Sequence, residues 1–238
     1  MRLLELPCRL ACLLAMVAGG TIATADPVEL KPFRAIYAIQ WKGITAGGST
    51  LELRHTGTDT WSYSSVNVPR GMFRIALPDS ISQASTFRIV DGRVVPSAFR
   101  GTDEKERPIE LNFDWGRKRV SGVAKGKTVD LELTEGTQDP MSLQIATLHN
   151  LASGAPQSTV RLIDSDKIKD YELTREGTAQ LDTAIGKLDT IVYTSKRAGA
   201  DRVTRTWVAP VLGYLPVKAE RTRGTKIDFT LVIESVER

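Results

Sequence analysis

The 238-residue chain is 41% hydrophobic and 25% charged, with a formal net charge of +4. That balance fits a folded globular protein long enough to bury its own core. Its two cysteines, Cys8 and Cys12, both lie near the start, so the rest excludes a disulfide scaffold, thiol catalysis and thiolate-bound metals.

Residues 1–25 read as an export signal. Arg2 and Arg9 supply a positive start, Leu10–Val17 a short apolar core, and Ala23-Thr24-Ala25 the small residues before a cut at Asp26. The apolar run falls well short of the ~20 residues of a membrane span. Cys12 precedes most of the apolar core, which disfavours a lipid-anchored cysteine. The expectation is a periplasmic product of residues 26–238, one domain with no transmembrane segment, carrying a net +3 once Arg2, Arg9 and Glu5 are removed. No dense basic stripe interleaved with aromatics follows, so nucleic acid is not expected as a partner.

Period-two alternation then dominates. Phe33, Ala35, Tyr37, Ile39 and Trp41 share one strand face, as do Ile109, Leu111, Phe113 and Trp115. Val129, Leu131 and Leu133 repeat the pattern, and so do Ile227, Phe229, Leu231 and Ile233. Alternate side chains point to opposite sides of a strand, so each segment has one apolar and one polar face. Further strands are expected at 48–55, 60–68, 83–90, 94–100, 117–124, 159–164, 168–175, 188–196, 201–209 and 215–221. Asp91-Gly92 suits a tight hairpin turn, and Trp115-Gly116, Lys125-Gly126 and Gly199-Ala200 break the pattern at similar intervals. Gly43 and Gly47 read as a hairpin or bulge between the first two strands.

One helix interrupts the strands near 140–152, with Asp139 as N-cap and Pro140 at the first position. Met141, Ile145, Leu148 and Ala152 fall on one face, Leu143 and Leu151 widen it, and Gly154 is placed to end it. The fold class is therefore all-β and mainly antiparallel, a barrel or strongly curved half-barrel with one crossover helix covering it.

No reaction is legible. His55 and His149 are far apart in sequence, and no Gly-x-Ser-x-Gly elbow, phosphate loop or dinucleotide fingerprint occurs. Among the carboxylates Asp79, Asp103, Glu104, Asp114, Asp139, Asp164 and Asp166, no spacing singles out a catalytic pair. Asp139 has a capping role, and Asp164 and Asp166 sit in an expected turn. Arg70–Pro78 is apolar without alternation, and Met72, Phe73, Ile75 and Leu77 would meet an apolar ligand if it formed a flap at a barrel mouth. As a plain loop it would pack on the rim. Trp207, Tyr214 and Leu215 pose the same choice. Arg117-Lys118-Arg119 and Arg221 with Arg223 read as solvated faces or as contacts for anionic headgroups.

Three stretches carry a resemblance: Tyr37–Gly47 (YAIQWKGITAG), Gln138–Leu143 (QDPMSL) and, most specifically, Trp207–Lys218 (WVAPVLGYLPVK). Together the chain resembles the bacterial exported family called domain of unknown function 3108, over roughly 33–236. That resemblance implies an exported β-rich fold without an established activity. The layout is also distantly similar to periplasmic lipoprotein-carrier half-barrels, in which a curved sheet with helical cover encloses an apolar cavity.

The leading expectation is non-catalytic binding of lipid or another apolar envelope component, with no cofactor and no metal. The candidate ligand-binding residues are Tyr37, Trp41, Met72 and Phe73, together with Ile75, Trp115, Trp207 and Tyr214. The alternatives are an interaction scaffold in envelope assembly, working through strand edges or the 70–78 loop with envelope proteins as partners, and a hydrolase with an unrecognised site.

Overall fold

A computed structural model describes residues 29–76, 80–102, 107–164 and 166–238. The expected export signal lies outside them, as do the candidates Leu77, Asp79, Asp103 and Glu104 and the side chain of Asp164. The first strands are β1 (Phe33–Trp41), β2 (Ile44–His55), β3 (Trp61–Pro69), β4 (Ile81–Val90) and β5 (Arg93–Thr102). A single helical turn, α1 (Phe73–Ala76), separates β3 from β4. Next come β6 (Pro108–Asp114), β7 (Arg119–Ala124), β8 (Lys127–Glu132), the short β9 (Thr137–Gln138) and the helix α2 (Ser142–Ala152). The C-terminal strands are β10 (Thr159–Asp164), β11 (Lys167–Thr183), β12 (Gly186–Lys196), β13 (Arg202–Ala209), β14 (Leu215–Arg223) and β15 (Lys226–Glu237).

All of these strands join one sheet in the order β8 to β1, then β15 down to β9. Every pair is antiparallel except β9 with β10. Tight turns make this meander, as at Asp91-Gly92, where φ is +49° and +71°, the left-handed pair that a two-residue hairpin loop requires. The sheet does not close by hydrogen bonding, yet it curls until its edges meet. Residues 133–136 link the edge strands β8 and β9 directly. Arg161 Nη1 donates to Thr134 Oγ1 at 2.8 Å on one side of this seam, and Lys125 pairs with Asp166 at 3.7 Å on the other.

The helix sits inside the curl. Asp139 caps it, as the sequence leads one to expect: Oδ1 accepts from the N–H groups of Met141 (2.8 Å) and Ser142 (2.9 Å). Ser142 Oγ in turn accepts from the Asp139 N–H at 3.0 Å. Gly154 ends the helix at φ +69°. The buried side differs from the expected face, however. Met141, Ile145 and Leu151 are buried as expected, but Ser142, Ala146 and His149 are buried with them, while Leu143, Leu148 and Ala152 are only half-buried. His149 reaches the β4–β5 turn, and the two residues before the helix, Gln138 and Asp139, bond β5 and β4. Ser85 Oγ donates to Asp139 Oδ2 at 2.6 Å, Gln138 Nε2 donates to Val94 O at 2.8 Å, and His149 Nε2 lies 3.1 Å from Gly92 O.

Against this side of α2 packs a dense core from β1 to β8, including Tyr37, Leu53, Tyr63, Phe87, Phe99, Leu111 and Val120. The alternation of β1 fails at its end. Phe33, Ala35 and Tyr37 are buried, Ile39 is half-buried, and Trp41, at the strand end beyond a bulge at Ala46 of the neighbouring β2, is 46% exposed. Ile227 is likewise exposed in β15, where irregular pairing with β14 interrupts the pattern.

Candidate ligand cavity

The other side of α2 meets no such core. Leu143, Thr147, Leu148 and Leu151 face an open cavity of about 810 Å³ whose far wall is the inner face of β10–β14. Period-two geometry builds that wall. Tyr171 and Leu173 of β11, Tyr193 and Ser195 of β12, and Thr204, Thr206 and Val208 of β13 all reach it. Tyr214 and Pro216 close it beside the helix.

Charge divides the cavity along its length. The lining cations are Lys169, Arg197, Arg202, Arg221 and Arg223, against the single carboxylate Asp201. The register places them at one end: Lys196 pairs with Val203, Arg202 with Arg223, and Arg223 with Lys226. Arg223 lies 3.9 Å from Asp228, and Arg221 stacks over Phe229 at 5.5 Å. The helix end offers leucines, tyrosine rings and threonine hydroxyls; the β12–β13 turn offers guanidinium groups. Such a gradient suits a ligand with an apolar body and an anionic head.

Asp139, Tyr37 and Tyr63 of the packed half spend their side-chain polar groups on structural hydrogen bonds. Burial pushes the Asp139 carboxyl up from the usual aspartate range, against hydrogen bonds from Ser85, Ser142 and Met141 that pull it down. Burial also raises the Tyr37 and Tyr63 phenols. Tyr37 donates to Pro216 O at 2.8 Å and Tyr63 to Gln144 Oε1 at 3.2 Å. His149 Nδ1 and Gln138 Oε1 are buried without a hydrogen-bond partner among the described residues. His55 lies at the protein surface against the Trp61 ring, 4.6 Å between centroids. Among the described residues, no group of three or more His, Cys, Asp or Glu could hold a metal ion.

The candidate residues from the sequence fall into three places. Tyr214 lines the cavity. Tyr37 and Trp207 are buried in the core, Trp207 with Lys218 Nζ 4.6 Å over its ring and on the face opposite Thr206 and Val208. Trp115 is half-buried at the edge of that core, its indole donating to Pro96 O at 2.7 Å. Trp41, Met72, Phe73 and Ile75 form a separate surface cluster, with the Trp41 and Phe73 rings edge-on at 6.0 Å. Of the two basic clusters, Arg221 and Arg223 reach the cavity, whereas Arg119 bonds Asp130 at 2.9 Å and Arg117 leans on Asp114. Sequence reasoning missed Tyr171, Leu173, Tyr193, Arg197 and Arg202. Their shared signal is alternation of mixed polarity in consecutive strands.

A family model described as "Protein of unknown function (DUF3108)" matches residues 36–231. The chain belongs to this family. The DUF3108 fold is similar to that of a solved beta-barrel-like protein of domain of unknown function DUF1849 from Brucella abortus. The TM-score is 0.57 at 13% identity, covering 88% of this chain and 98% of that one. A protein with YmcC-like fold from Bacteroides fragilis aligns at TM-score 0.37 and 7% identity, covering 88% and 97%. No curated protein matches the DUF3108 chain by sequence. Among the described residues, no helix is long and apolar enough to cross a membrane.

Proposed function

We propose that the protein is a non-catalytic periplasmic binding protein for an anionic amphiphile, a lipid or related envelope component with an acidic head. The observation that carries this reading is the 810 Å³ cavity with leucines at its helix end and arginines at its turn end. Its size lies within the range of ligand pockets, about 300–1,000 Å³. The acyl body would lie against Leu143, Leu148 and Leu151, and the head would meet Arg197, Arg202 and Arg223. The periplasmic address rests on the reading of residues 1–25. A binding role uses the polar groups as they stand: the Asp139 carboxylate is committed to the helix cap and His149 to Gly92.

The test is displacement of Nile red from the delipidated protein by laurate and by dodecanol, which share a chain length and differ in head charge. Laurate is expected to compete at the lower concentration. The double variant Arg197→Glu/Arg202→Glu should weaken laurate by about tenfold while leaving dodecanol unchanged. Leu148→Trp, which fills the apolar end, should weaken both. If neither compound binds, the cavity is not a lipid site; if both bind equally and the charge reversals change nothing, the anionic head is wrong.

A further inference from the structure

A second apolar surface stands outside the cavity. The β1–β2 turn and the segment after β3 meet at the Trp41–Phe73 contact, and Arg70 N–H donates to Ala46 O at 2.8 Å. Around that contact Trp41 is 46% exposed, Ile44 57%, Met72 72% and Ile75 91%. Val68, on the adjoining strand, is also exposed. Isolated exposed apolar residues are ordinary on a soluble protein, but a contiguous tip with an indole and three long aliphatic side chains marks an interaction site.

The charges beside this tip name its partner. Lys42 Nζ lies 4.4 Å over the Trp41 ring, and Arg74 is exposed within α1 between Met72 and Ile75. Arg70 stands next to them, 4.0 Å from Glu234, the carboxylate that the described residues place against this group. An aromatic and aliphatic tip ringed by basic side chains is complementary to an anionic bilayer. The rings and aliphatic chains enter the boundary of the acyl region, and the cations stay among the phosphates.

Strand register relates this tip to the cavity. Gln40, beside Trp41, pairs with Thr230 near the start of β15, and Arg223 at the cavity's basic end pairs with Arg202 of β13 on one side and with Lys226, the first residue of β15, on the other. The tip and the cavity's basic end therefore occupy the same end of the curled sheet.

We infer that this end of the molecule docks on an anionic phospholipid surface, with Trp41, Ile44, Met72 and Ile75 inserted and Lys42 and Arg74 at the headgroups. Docking so oriented brings the cavity's basic end toward the bilayer. The docking does not depend on what the cavity holds.

The test is co-sedimentation of the protein, recovered from the periplasmic fraction, with vesicles of phosphatidylglycerol and phosphatidylethanolamine or of phosphatidylcholine alone. Retention is expected on the anionic vesicles and not on the neutral ones, and it should fall as salt rises. Ile44→Asp/Ile75→Asp should reduce retention at least about tenfold, and Lys42→Glu/Arg74→Glu should abolish the preference for anionic lipid. Both variants change exposed positions, so their thermal unfolding and their Nile red displacement should match the parent, which separates failure to dock from failure of the cavity. Equal retention of parent and variants, or no retention of the parent on anionic vesicles, overturns the inference and leaves the tip to a protein partner.

Discussion

The two flanks of α2 are built from the same material and filled in different ways. Toward β4 and β5, Gln138, the capping Asp139 and the helix residue His149 meet Val94, Ser85 and Gly92 through hydrogen bonds, amid a core of Phe87, Phe99 and Leu111. Toward β10–β14 the helix lines the cavity with leucines, Leu151 buried and Leu143 and Leu148 half-buried. Both walls are antiparallel meander. The contrast teaches that the filled half fixes where the helix lies, and the helix then defines one side of the cavity.

That comparison can be broken by measuring stability on each side. Phe87 has no exposed surface, so Phe87→Ala should cost about 3–5 kcal/mol in urea unfolding. Leu148→Ala, whose side chain borders the cavity, should cost no more than about 1 kcal/mol. Equal losses would mean that the cavity side is packed in solution.

A smaller effect is expected at the cap that pins α2 to the filled side. Asp139→Ala removes the acceptor for Met141, Ser142 and Ser85 and should cost about 1–3 kcal/mol. Asp139→Asn keeps an acceptor while removing a carboxyl whose folded value is raised by burial. A raised value means that the stability Asp139 contributes is fully present below the ordinary aspartate range and is lost as pH rises through the folded value. The parent should therefore lose stability relative to Asp139→Asn across that rise, as thermal melts at stepped pH would show; parallel pH profiles would argue against the raised carboxyl.

The smallest effect concerns the tie between the halves. Tyr37→Phe deletes the bond from β1 to Pro216 O, beside the cavity, and should cost about 0.5–1.5 kcal/mol. If Pro216 shifts in response, Nile red affinity should change along with stability; a change in stability alone would confine the bond to a packing role.

Most of the elements were legible because their signals are local. Strand alternation, the Asp91-Gly92 turn and the Asp139-Pro140 helix start each depend on a few neighbouring residues, and each appears where the pattern places it. The two-residue β9 and the second half of β11, beyond Arg175, lacked such a signal. β9 exists only because its backbone runs beside Arg161 and Leu162. The candidate site was less legible. Of the eight residues singled out, Tyr214 reaches the cavity, while Tyr37 and Trp207 went to the core and Trp115 to its edge. Trp41, Met72, Phe73 and Ile75 gathered at the surface tip. Aromatic character marks a side chain that leaves water and is silent about whether it meets core, cavity or bilayer.

Local patterns along the chain were enough to specify an antiparallel β protein with one capped helix and membership of its family. The lean of the helix on β4 and β5, the space on its other side and the gathering of Arg197, Arg202 and Arg223 at one end of that space came from the folded arrangement. The reason is physical. Alternation assigns a side chain to one face of its own strand, whereas a cavity is set by the curvature of the whole sheet and by contacts between residues far apart in the chain.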